Sequence, residues 1–360
     1  NNGLIYEYKT MILTYLIFTL IFGLYFSKSS TQNNYLYSSR KLTLTSFVAT
    51  LVTTWYGGIL AVGDYVYLNG TITWIVFGLF YYLAAIIYAI FFAPNIIKYK
   101  INTLPSYFKD KLSKESAIFA GIILILLSSP APYIMIFCTI INHIYNINII
   151  LSILISITFT TVYCYYGGLN SIFKTDKIQF ILMYGGFIGI ILTLMNTYGG
   201  YDYIFNNTPE KYLNISTKDM IDVLPWSIIA ITMFIDPNII QRTYLGKDVK
   251  TVQKGILIST VFWFIFDLLS ITTGLYAVSI ISNTSNTSTY LALADITLTP
   301  IMRDVFFISL LAIIMSTIDS YTFTSSFIIS KDIIPLISKN YNKNLIVKHT
   351  RYSISYTGNG

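Results

Sequence analysis

Hydroxyl and carboxyl side chains are concentrated in one apolar stretch near the carboxyl end of the sequence. Ser316, Thr317 and Asp319 lie in it, and further hydroxyls follow at Thr322, Thr324, Ser325 and Ser326. Side-chain oxygens at this density are hard ligands of the kind that a small cation binds. Alternatively, each Ser or Thr bonds back to a carbonyl of its own helix. For Ser316 and Thr317 together, the sequence leaves both interpretations open.

Carboxyl groups also occur inside other apolar stretches. Asp236, Asp267 and Asp319 lie well within theirs, and Asp64 and Asp176 lie near the ends of theirs. Inserting an Asp at the centre of a membrane costs on the order of 3 kcal/mol, so each of these residues needs surroundings that stabilise it. We expect each to face a partner group or an aqueous cavity.

The elements that position these side chains follow from the composition. Of the 360 residues, 54% are hydrophobic and 11% are charged, whereas about a quarter of the residues in soluble domains are charged. This excludes an ordinary soluble enzyme, a disordered tail and a disulfide scaffold.

Cys138 and Cys164 lie in apolar runs, where a thiol acts as a small hydrophobe. His143 and His349 have no neighbours that would form a catalytic pair, so we expect no enzyme.

Nine apolar runs have the length of about 20 residues that a membrane-spanning helix needs. They lie at roughly 10–27, 43–67, 72–95, 116–141, 147–166, 177–199, 221–241, 255–281 and 299–330. Runs that are apolar on every side, such as 122–127, exclude the alternating strands of a membrane barrel.

The basic residues are distributed unevenly between the connecting loops. With the amino terminus outside, 19 of the 23 Lys and Arg residues fall on the inner side, as the positive-inside rule predicts. This set includes Lys28, Arg40, Lys41, Arg242 and Lys339. The net charge of +7 therefore indicates topology rather than nucleic-acid binding, and no Lys or Arg is placed at mid-membrane.

Two spans carry helix breakers near their middles. Trp-Tyr-Gly-Gly occupies 55–58 in the second span, and Asp-Pro-Asn occupies 236–238 in the seventh. Backbone groups freed by such breaks need partners in protein, ion or water. The two spans are five apart, so the sets that they begin would have opposite orientations in the membrane. Inverted repeats with broken helices indicate a midplane binding site in a secondary transporter; close helix packing and a tolerated proline kink are the alternative.

Several phrases of the sequence together resemble one transporter family. Residues 167–179 begin Gly-Gly-Leu and end Thr-Asp-Lys-Ile-Gln, and 312–317 read Ala-Ile-Ile-Met-Ser-Thr. Further phrases are the two helix breaks at 55–58 and 236–242 and Leu-Pro-Ser-Tyr-Phe at 104–108. Together, all these phrases are similar to those of the sodium/solute symporters. That family carries proline, pantothenate, sugars, iodide, choline and other solutes. The resemblance covers about residues 40–335.

The resemblance implies the LeuT-type fold, an all-α polytopic membrane protein with two inverted five-helix repeats behind one extra helix. The corresponding segments are an N-terminal helix and cytoplasmic loop (1–42), the first repeat (43–199), an extracellular loop (200–220), the second repeat (221–330) and a cytoplasmic tail (331–360). The second repeat then has three helices of five. We therefore expect a C-terminally truncated member or a degenerate gene product.

The family also implies where sodium binds. Its site lies between the first helix of repeat one and the third helix of repeat two. Carried over by position, the ligands are the side chains of Ser316 and Thr317 and the carbonyls of Ile313, Val52 and Trp55. Asp176 matches an Asp that supports sodium coupling or a second ion, and we assign Asp319 the same support. Na+ is the coupling ion, with no other cofactor.

The expected function is Na+-coupled symport of a small organic solute by alternating access. The alternatives are a proton-coupled carrier, since the buried carboxyl groups could titrate, and a transporter-like nutrient sensor or non-functional fragment. The candidate substrate-binding residues, which include no base, are Gly57, Gly58, Tyr56, Tyr133, Asp236 and Asn238. Expected partners are the solute, Na+ and lipid, without nucleic acid or an obligate protein. The expected location is the cell membrane, with the carboxyl-terminal tail cytoplasmic.

Overall fold

A computed structural model describes residues 2–27, 31–38, 42–282, 287–338 and 342–357. In these ranges the chain is almost entirely helical, and its one extended contact is an isolated bridge between Leu42 and Gly246. The predicted inner residues Lys28, Arg40, Lys41 and Lys339 lie outside the described ranges.

The described residues of the first half of the chain form nine helices. They are α1 (Asn2–Ser27), α2 (Gln32–Tyr37), α3 (Leu44–Trp55), α4 (Ile59–Asn69), α5 (Ile75–Lys98), α6 (Leu104–Lys111), α7 (Lys114–Leu127), α8 (Ala131–Tyr145) and α9 (Ile149–Tyr198). A 3-10 turn (Gly70–Ile72) follows α4, and α5 includes π-helical turns at Ile75–Leu79 and Tyr88–Phe92.

In the second half, the part of the chain that the structure describes forms nine more, several of them short. They are α10 (Tyr201–Asn207), α11 (Glu210–Leu213), α12 (Thr217–Val223), α13 (Trp226–Ala230), α14 (Pro237–Leu245), α15 (Val249–Ile280), α16 (Thr289–Thr297), α17 (Pro300–Ile328) and α18 (Ile346–Thr357). Further helical turns lie at Ile231–Phe234, Ile329–Ile333, Ile334–Ile337 and Lys343–Leu345.

The long apolar helices account for the predicted number of spans. In the described part of the chain, six helical stretches are long and apolar enough to cross a membrane, and two bent helix pairs raise the number to eight. Helix α9 has 50 residues, or about 75 Å at 1.5 Å per residue, more than twice the hydrocarbon core of about 30 Å. It bends at Gly168, where the backbone is not helical. Counting its two parts separately gives nine crossings.

The bend in α9 requires glycine. Gly168 has a φ of 56°, and a β-carbon there would collide with the backbone carbonyl of Tyr35. The carbonyl of Tyr165, just before the bend, accepts hydrogen bonds from the Tyr35 hydroxyl at 3.1 Å and Arg351 Nε at 3.0 Å. Gly-Gly at 167–168 therefore has a structural role where α2 and α18 meet α9.

Both predicted helix breaks are confirmed. The second span bends by 57° between α3 and α4, where Tyr56 and Gly57 form the turn. The seventh span breaks before α14, and the Asp236 side chain caps the new helix by accepting from the backbone N–H groups of Asn238 and Ile239 at 2.8 and 3.0 Å. An Asp at an N-cap satisfies donors that would otherwise be orphaned in the membrane.

Helix α17 lies at the centre of the molecule. In the most apolar part of the stretch Pro300–Ile337, 78% of the residues are buried, against 28% for α1. It packs against α9, α8, α3 and α1. A helix that is buried all round places its polar residues against other helices rather than lipid, so the hydroxyl-rich stretch that begins at Ser316 lies inside the protein.

The segment expected to form a cytoplasmic tail is more structured than the sequence suggested. The helical path of α17 continues to Ile337, and α18 packs back against α17. Ile354 is fully buried, and Arg351 donates to the carbonyl at the α9 bend. The apolar face of α18 and this basic residue explain the docking. The proposed boundaries between repeats stay a prediction.

Candidate functional site

Ser316 is the centre of a buried polar cluster. Its Oγ donates to Asp176 Oδ1 at 2.7 Å and lies 2.8 Å from Thr53 Oγ1. All three residues are 0% exposed. Asp176 comes from α9, Thr53 from α3 and Ser316 from α17. The cluster therefore joins the broken second span to two other helices.

Thr317 brings backbone carbonyls to the same place. Its hydroxyl lies 3.1 Å from the Thr54 carbonyl and 3.2 Å from the Ile313 carbonyl. The Ile313 carbonyl is one of the predicted sodium ligands. On α3, the carbonyl that meets Thr317 is that of Thr54, which lies between the predicted Val52 and Trp55 in sequence. Those two carbonyls stay predictions.

Arg242 completes the cluster, and it corrects the expectation that this base lies in an inner loop. It belongs to α14 and is 1% exposed. Its guanidinium donates to Thr50 Oγ1 at 3.1 Å and to the Asn238 carbonyl at 3.3 Å. The same side chain donates to Thr54 Oγ1 at 2.9 Å and to Ser320 Oγ at 2.7 Å.

Thr50 links this guanidinium to the carboxylate. Its hydroxyl accepts from Arg242 Nε and donates to Asp176 Oδ2. A buried charge is tolerated when it is paired and hydrogen-bonded, and here a single hydroxyl bridges the two charges. Sequence reasoning placed Arg242 in a loop because it follows directly on the predicted span 221–241. The available signal was its position directly after a broken helix, between Ile240 and Leu245.

The cluster can bind a small hard cation. Oxygens of Ser316, Thr317, Asp176, Thr53 and the Thr54 carbonyl are linked by hydrogen bonds of 2.7 to 3.1 Å. Carboxylate, hydroxyl and carbonyl oxygens are the ligands that hard cations take. Because these oxygens belong to three helices, any ion held by them depends on how α3 lies against α9 and α17.

Asp319 faces a different neighbourhood. One of its carboxylate oxygens accepts from the Tyr163 hydroxyl, and the other is buried with no hydrogen-bond partner among the described residues. Cys164 Sγ lies 3.9 Å from its backbone carbonyl. The structure thus places Asp176 at the Ser316 cluster and Asp319 beside the first half of α9. The supporting role of Asp319 stays a prediction.

A cavity of about 340 Å³ opens at the break of the second span. Of the predicted substrate-binding residues, it is lined by Tyr56, Gly58, Tyr133 and Asp236. Trp55, from the broken-helix phrase at 55–58, also lines it, whereas nothing in the sequence marked the further aromatic walls Phe77, Tyr81 and Tyr321. With 31 tyrosines in the chain, no spacing singles out those that reach this cavity.

Gly57 and Asn238, also predicted to bind substrate, lie beside the cavity rather than on its wall. A β-carbon on Gly57 would lie 2.5 Å from Thr317 Cγ2 and 2.6 Å from a Tyr133 ring carbon. Asn238 is 3% exposed, and its Oδ1 accepts from Thr324 Oγ1 at 2.7 Å. Both positions fix how the two breaks pack, and direct substrate contact stays a prediction for each.

The other acidic residues inside spans also have partners. Asp267 on α15 accepts from the hydroxyls of Tyr56, at 2.9 Å, and Tyr82. Asp64 on α4 accepts the backbone N–H of Thr289 at 2.7 Å at the start of α16. The first contact anchors the turn of the broken helix to α15, and the second joins its other half to α16. These hydrogen bonds offset part of the free-energy cost of placing carboxylates inside a membrane.

Comparison with known proteins supports the same interpretation. A sequence model described as the sodium:solute symporter family matches residues 35–354. The chain belongs to this family. It is a multi-pass membrane protein, and its relatives are transporters rather than enzymes.

Two curated symporters align with part of this family member. A sodium/glucose cotransporter of Vibrio parahaemolyticus is 26% identical over 227 residues, which is 56% of this chain and 41% of that protein. A sodium/pantothenate symporter of Haemophilus influenzae is 27% identical over 195 residues, 51% of this chain and 40% of that protein. The aligned region therefore spans about two fifths of the length of these relatives.

A solved structure shares the fold of this symporter-family chain. It is a substrate-bound, outward-open state of a Na+-coupled sialic acid symporter, and it superposes with a TM-score of 0.84 at 19% identity. The match covers 98% of this chain and 80% of that one. The predicted LeuT-type fold is confirmed.

Proposed function

We propose that this protein is a Na+-coupled symporter that moves a small organic solute by alternating access. The observation that carries the proposal is the buried cluster in which Ser316 meets both Asp176 and Thr53. It offers hard oxygens at the break of a membrane-spanning helix, next to a cavity of about 340 Å³. Ion site and solute cavity share one element, the end of α3, where Thr53 and Thr54 precede Trp55 and Tyr56.

Sodium binding has a direct structural consequence in this arrangement. The ligands that we propose are the hydroxyls of Ser316 and Thr317 with carbonyls of Ile313 and the end of α3. Thr317 already joins α17 to α3 through the Thr54 carbonyl at 3.1 Å. An ion shared by these groups stabilises the arrangement in which α3 lies against α17. A ligand shifts a conformational equilibrium only by its differential affinity for the two conformations. A sodium site that is complete only when α3 lies against α17 supplies that difference in affinity.

The charge balance at the site favours a monovalent cation. Asp176 shares the cluster with Arg242, to which it is joined through Thr50. The guanidinium thus offsets the carboxylate, so every charge on a bound ion adds to the buried positive charge, and a monovalent ion adds less than a divalent one. The energy available is sufficient for accumulation. One charge moved through 100 mV supplies about 2.3 kcal/mol, which corresponds to about 50-fold accumulation at about 1.4 kcal/mol per decade.

The orientation that we propose places the amino terminus outside and the loops rich in Lys and Arg inside, in a cell membrane. Arg242 leaves the count of inner charges because it is buried, and the asymmetry of the other bases is unaffected. Proton coupling is not favoured, since the family and its named relatives are sodium-coupled. Among partners, we propose the solute, Na+ and surrounding lipid.

Uptake into proteoliposomes tests this function. The chain is reconstituted, and accumulation of labelled solutes is compared at fixed pH under an inward Na+ gradient and under an equal K+ gradient. Neither buffer contains choline. We expect uptake of at least one solute class to be stimulated by Na+ and collapsed by a sodium ionophore. Equal uptake in Na+ and K+, or uptake driven by a pH gradient alone, would contradict the proposal.

A further inference from the structure

The cavity at the second-span break has an unusual electrostatic composition. Of its thirteen lining residues, all within the described part of the chain, Asp236 is the one that carries a charge. Aromatic rings form much of the remaining wall. Arg242 does not line this cavity; it lines an adjoining recess of about 10 Å³ that shares Trp55, Asp236 and Tyr321 with the cavity. A ligand in the cavity therefore meets one carboxylate and several aromatic rings.

The aromatic walls come as two pairs of rings. Trp55 and Tyr81 lie with ring centroids 5.1 Å apart at 77°, and Tyr133 and Tyr321 lie 5.1 Å apart at 59°. The four rings belong to four different helices, α3, α5, α8 and α17. Ring faces are the negative end of the aromatic quadrupole, and cations bind within about 6 Å of a ring centroid. Rings that converge from several helices form a site of this kind.

Asp236 contributes a carboxylate that is only partly used by the protein. Its Oδ1 caps α14 by accepting from Asn238 and Ile239. Its Oδ2 has one contact, the Tyr321 hydroxyl at 3.4 Å, which is longer than an ordinary O–H···O hydrogen bond. This second oxygen is thus available to a ligand in the cavity, beside the Tyr133 and Tyr321 rings.

The same contacts disfavour an anionic ligand. A helix N-terminus is where a carboxylate would normally bind, but at α14 that position is occupied by the protein's own Asp236 carboxylate. Arg242 is 1% exposed, and its donors are directed to Thr50, Thr54, Ser320 and the Asn238 carbonyl. Neither feature can receive a substrate carboxylate without breaking contacts inside the fold.

We propose that the substrate is a small organic ammonium ion, bound with its cationic group between the Trp55–Tyr81 and Tyr133–Tyr321 ring pairs and beside Asp236 Oδ2. This inference rests on the proposed function, because it takes the cavity at the helix break as the solute site. The volume of about 340 Å³ is at the small end of the range for ligand pockets. It suits a compact amine or quaternary ammonium compound.

Binding to the purified full chain at saturating NaCl tests the substrate class without any gradient. The ammonium probes are choline, ethanolamine and tetramethylammonium, measured by isothermal titration calorimetry. The matched neutral probe is 3,3-dimethyl-1-butanol, which has the shape of choline without its charge; glucose and propionate represent polyols and anions. We expect at least one ammonium probe to bind, and choline to bind about tenfold more tightly than its neutral isostere.

A variant separates the carboxylate from the cavity shape. Asp236→Asn keeps an efficient N-cap for α14 and removes the charge, so the preference for choline over the isostere is expected to fall about tenfold. The control Glu210→Gln, an exposed acid bonded to Asn214, is expected to leave that preference unchanged. If Asp236→Asn does not fold, the comparison of choline with its isostere on the unaltered chain still decides the question.

The outcomes distinguish this inference from the proposed function. Tighter binding of glucose, propionate or the neutral isostere, or no binding of any ammonium probe, overturns the substrate class. Sodium-driven uptake of a sugar would leave symport standing while refuting the ammonium proposal. Ammonium binding in a chain whose uptake is indifferent to Na+ would support the substrate class and contradict sodium coupling.

Discussion

Ser316 Oγ donates a 2.7 Å hydrogen bond to Asp176 Oδ1, joining two fully buried residues that lie 140 positions apart in the sequence. The contact brings together the hydroxyl-rich segment of α17 and the Thr-Asp phrase of α9. Thr53 Oγ1, 2.8 Å from the same hydroxyl, adds the broken helix α3. The proposed sodium site therefore depends on three elements at once, and each can be tested separately.

Removing the hydroxyls of α17 tests the ion site. Ser316→Ala and Thr317→Ala each delete one proposed ligand and are expected to raise the half-saturating Na+ concentration for uptake about tenfold or more. The matched control is Ser325→Ala, because the Ser325 hydroxyl bonds back to Tyr321 in its own helix at 2.8 Å. A sodium dependence that is equal in all three variants would refute the assignment of these hydroxyls.

Removing the buried base tests the charge pairing. Arg242→Met leaves the Asp176 carboxylate without its compensating charge, and breaking a buried pair in this way costs about 3 to 5 kcal/mol. We expect a clear loss of thermal stability in detergent, measured by the unfolding temperature. Adding Asp176→Asn to Arg242→Met removes the isolated charge and is expected to recover part of the loss. No recovery in the double variant would show that the two side chains are not coupled.

Two adjacent glycines at the second-span break give a matched steric comparison. A β-carbon at Gly57 would lie 2.5 Å from Thr317 Cγ2, whereas one at Gly58 has nothing within 4 Å. Gly57→Ala is therefore expected to weaken Na+-stimulated uptake severalfold by displacing Thr317, and Gly58→Ala to fold with an unchanged sodium dependence. Equal effects of the two substitutions would contradict the packing described here.

The bend in α9 gives a test of the fold that does not involve the ion. Gly168 has a positive φ and no room for a β-carbon beside Tyr35, whereas a β-carbon at Gly185 in the same helix meets nothing within 4 Å. Gly168→Ala is expected to lower the unfolding temperature, since left-handed backbone costs a non-glycine residue about 1 to 2 kcal/mol before any collision. Gly185→Ala is expected to leave it unchanged or raise it. A tolerated Gly168→Ala would mean that the bend does not need glycine.

Helix breaks and span number were predictable because they depend on local signals. Gly57 and Gly58 interrupt an apolar run, and Asp236 before a proline is a cap that any helix start can use. These features are properties of neighbouring residues. The LeuT-type fold followed from the resemblance of short phrases rather than from composition.

Long-range pairing was harder to predict. In the sequence Arg242 resembles a loop base, because its partners Thr50 and Thr54 on α3 and Ser320 on α17 are brought to it only by the packing of two other helices. The sequence predicts a cytoplasmic tail where α18 lies, because the docking of this helix depends on the carbonyls near the Gly168 bend. The cavity walls Tyr81 and Tyr321 are ordinary span residues in the sequence, and only the packing brings them to one place.

Binding of radioactive 22Na+ to the purified chain tests the proposed sodium site without any knowledge of the solute. We expect saturable binding that is displaced by unlabelled Na+ and not by K+. We also expect this binding to be lost in Ser316→Ala and Thr317→Ala and kept in Ser325→Ala. Absence of saturable 22Na+ binding in the unaltered chain, or equal binding in all of these variants, would contradict it.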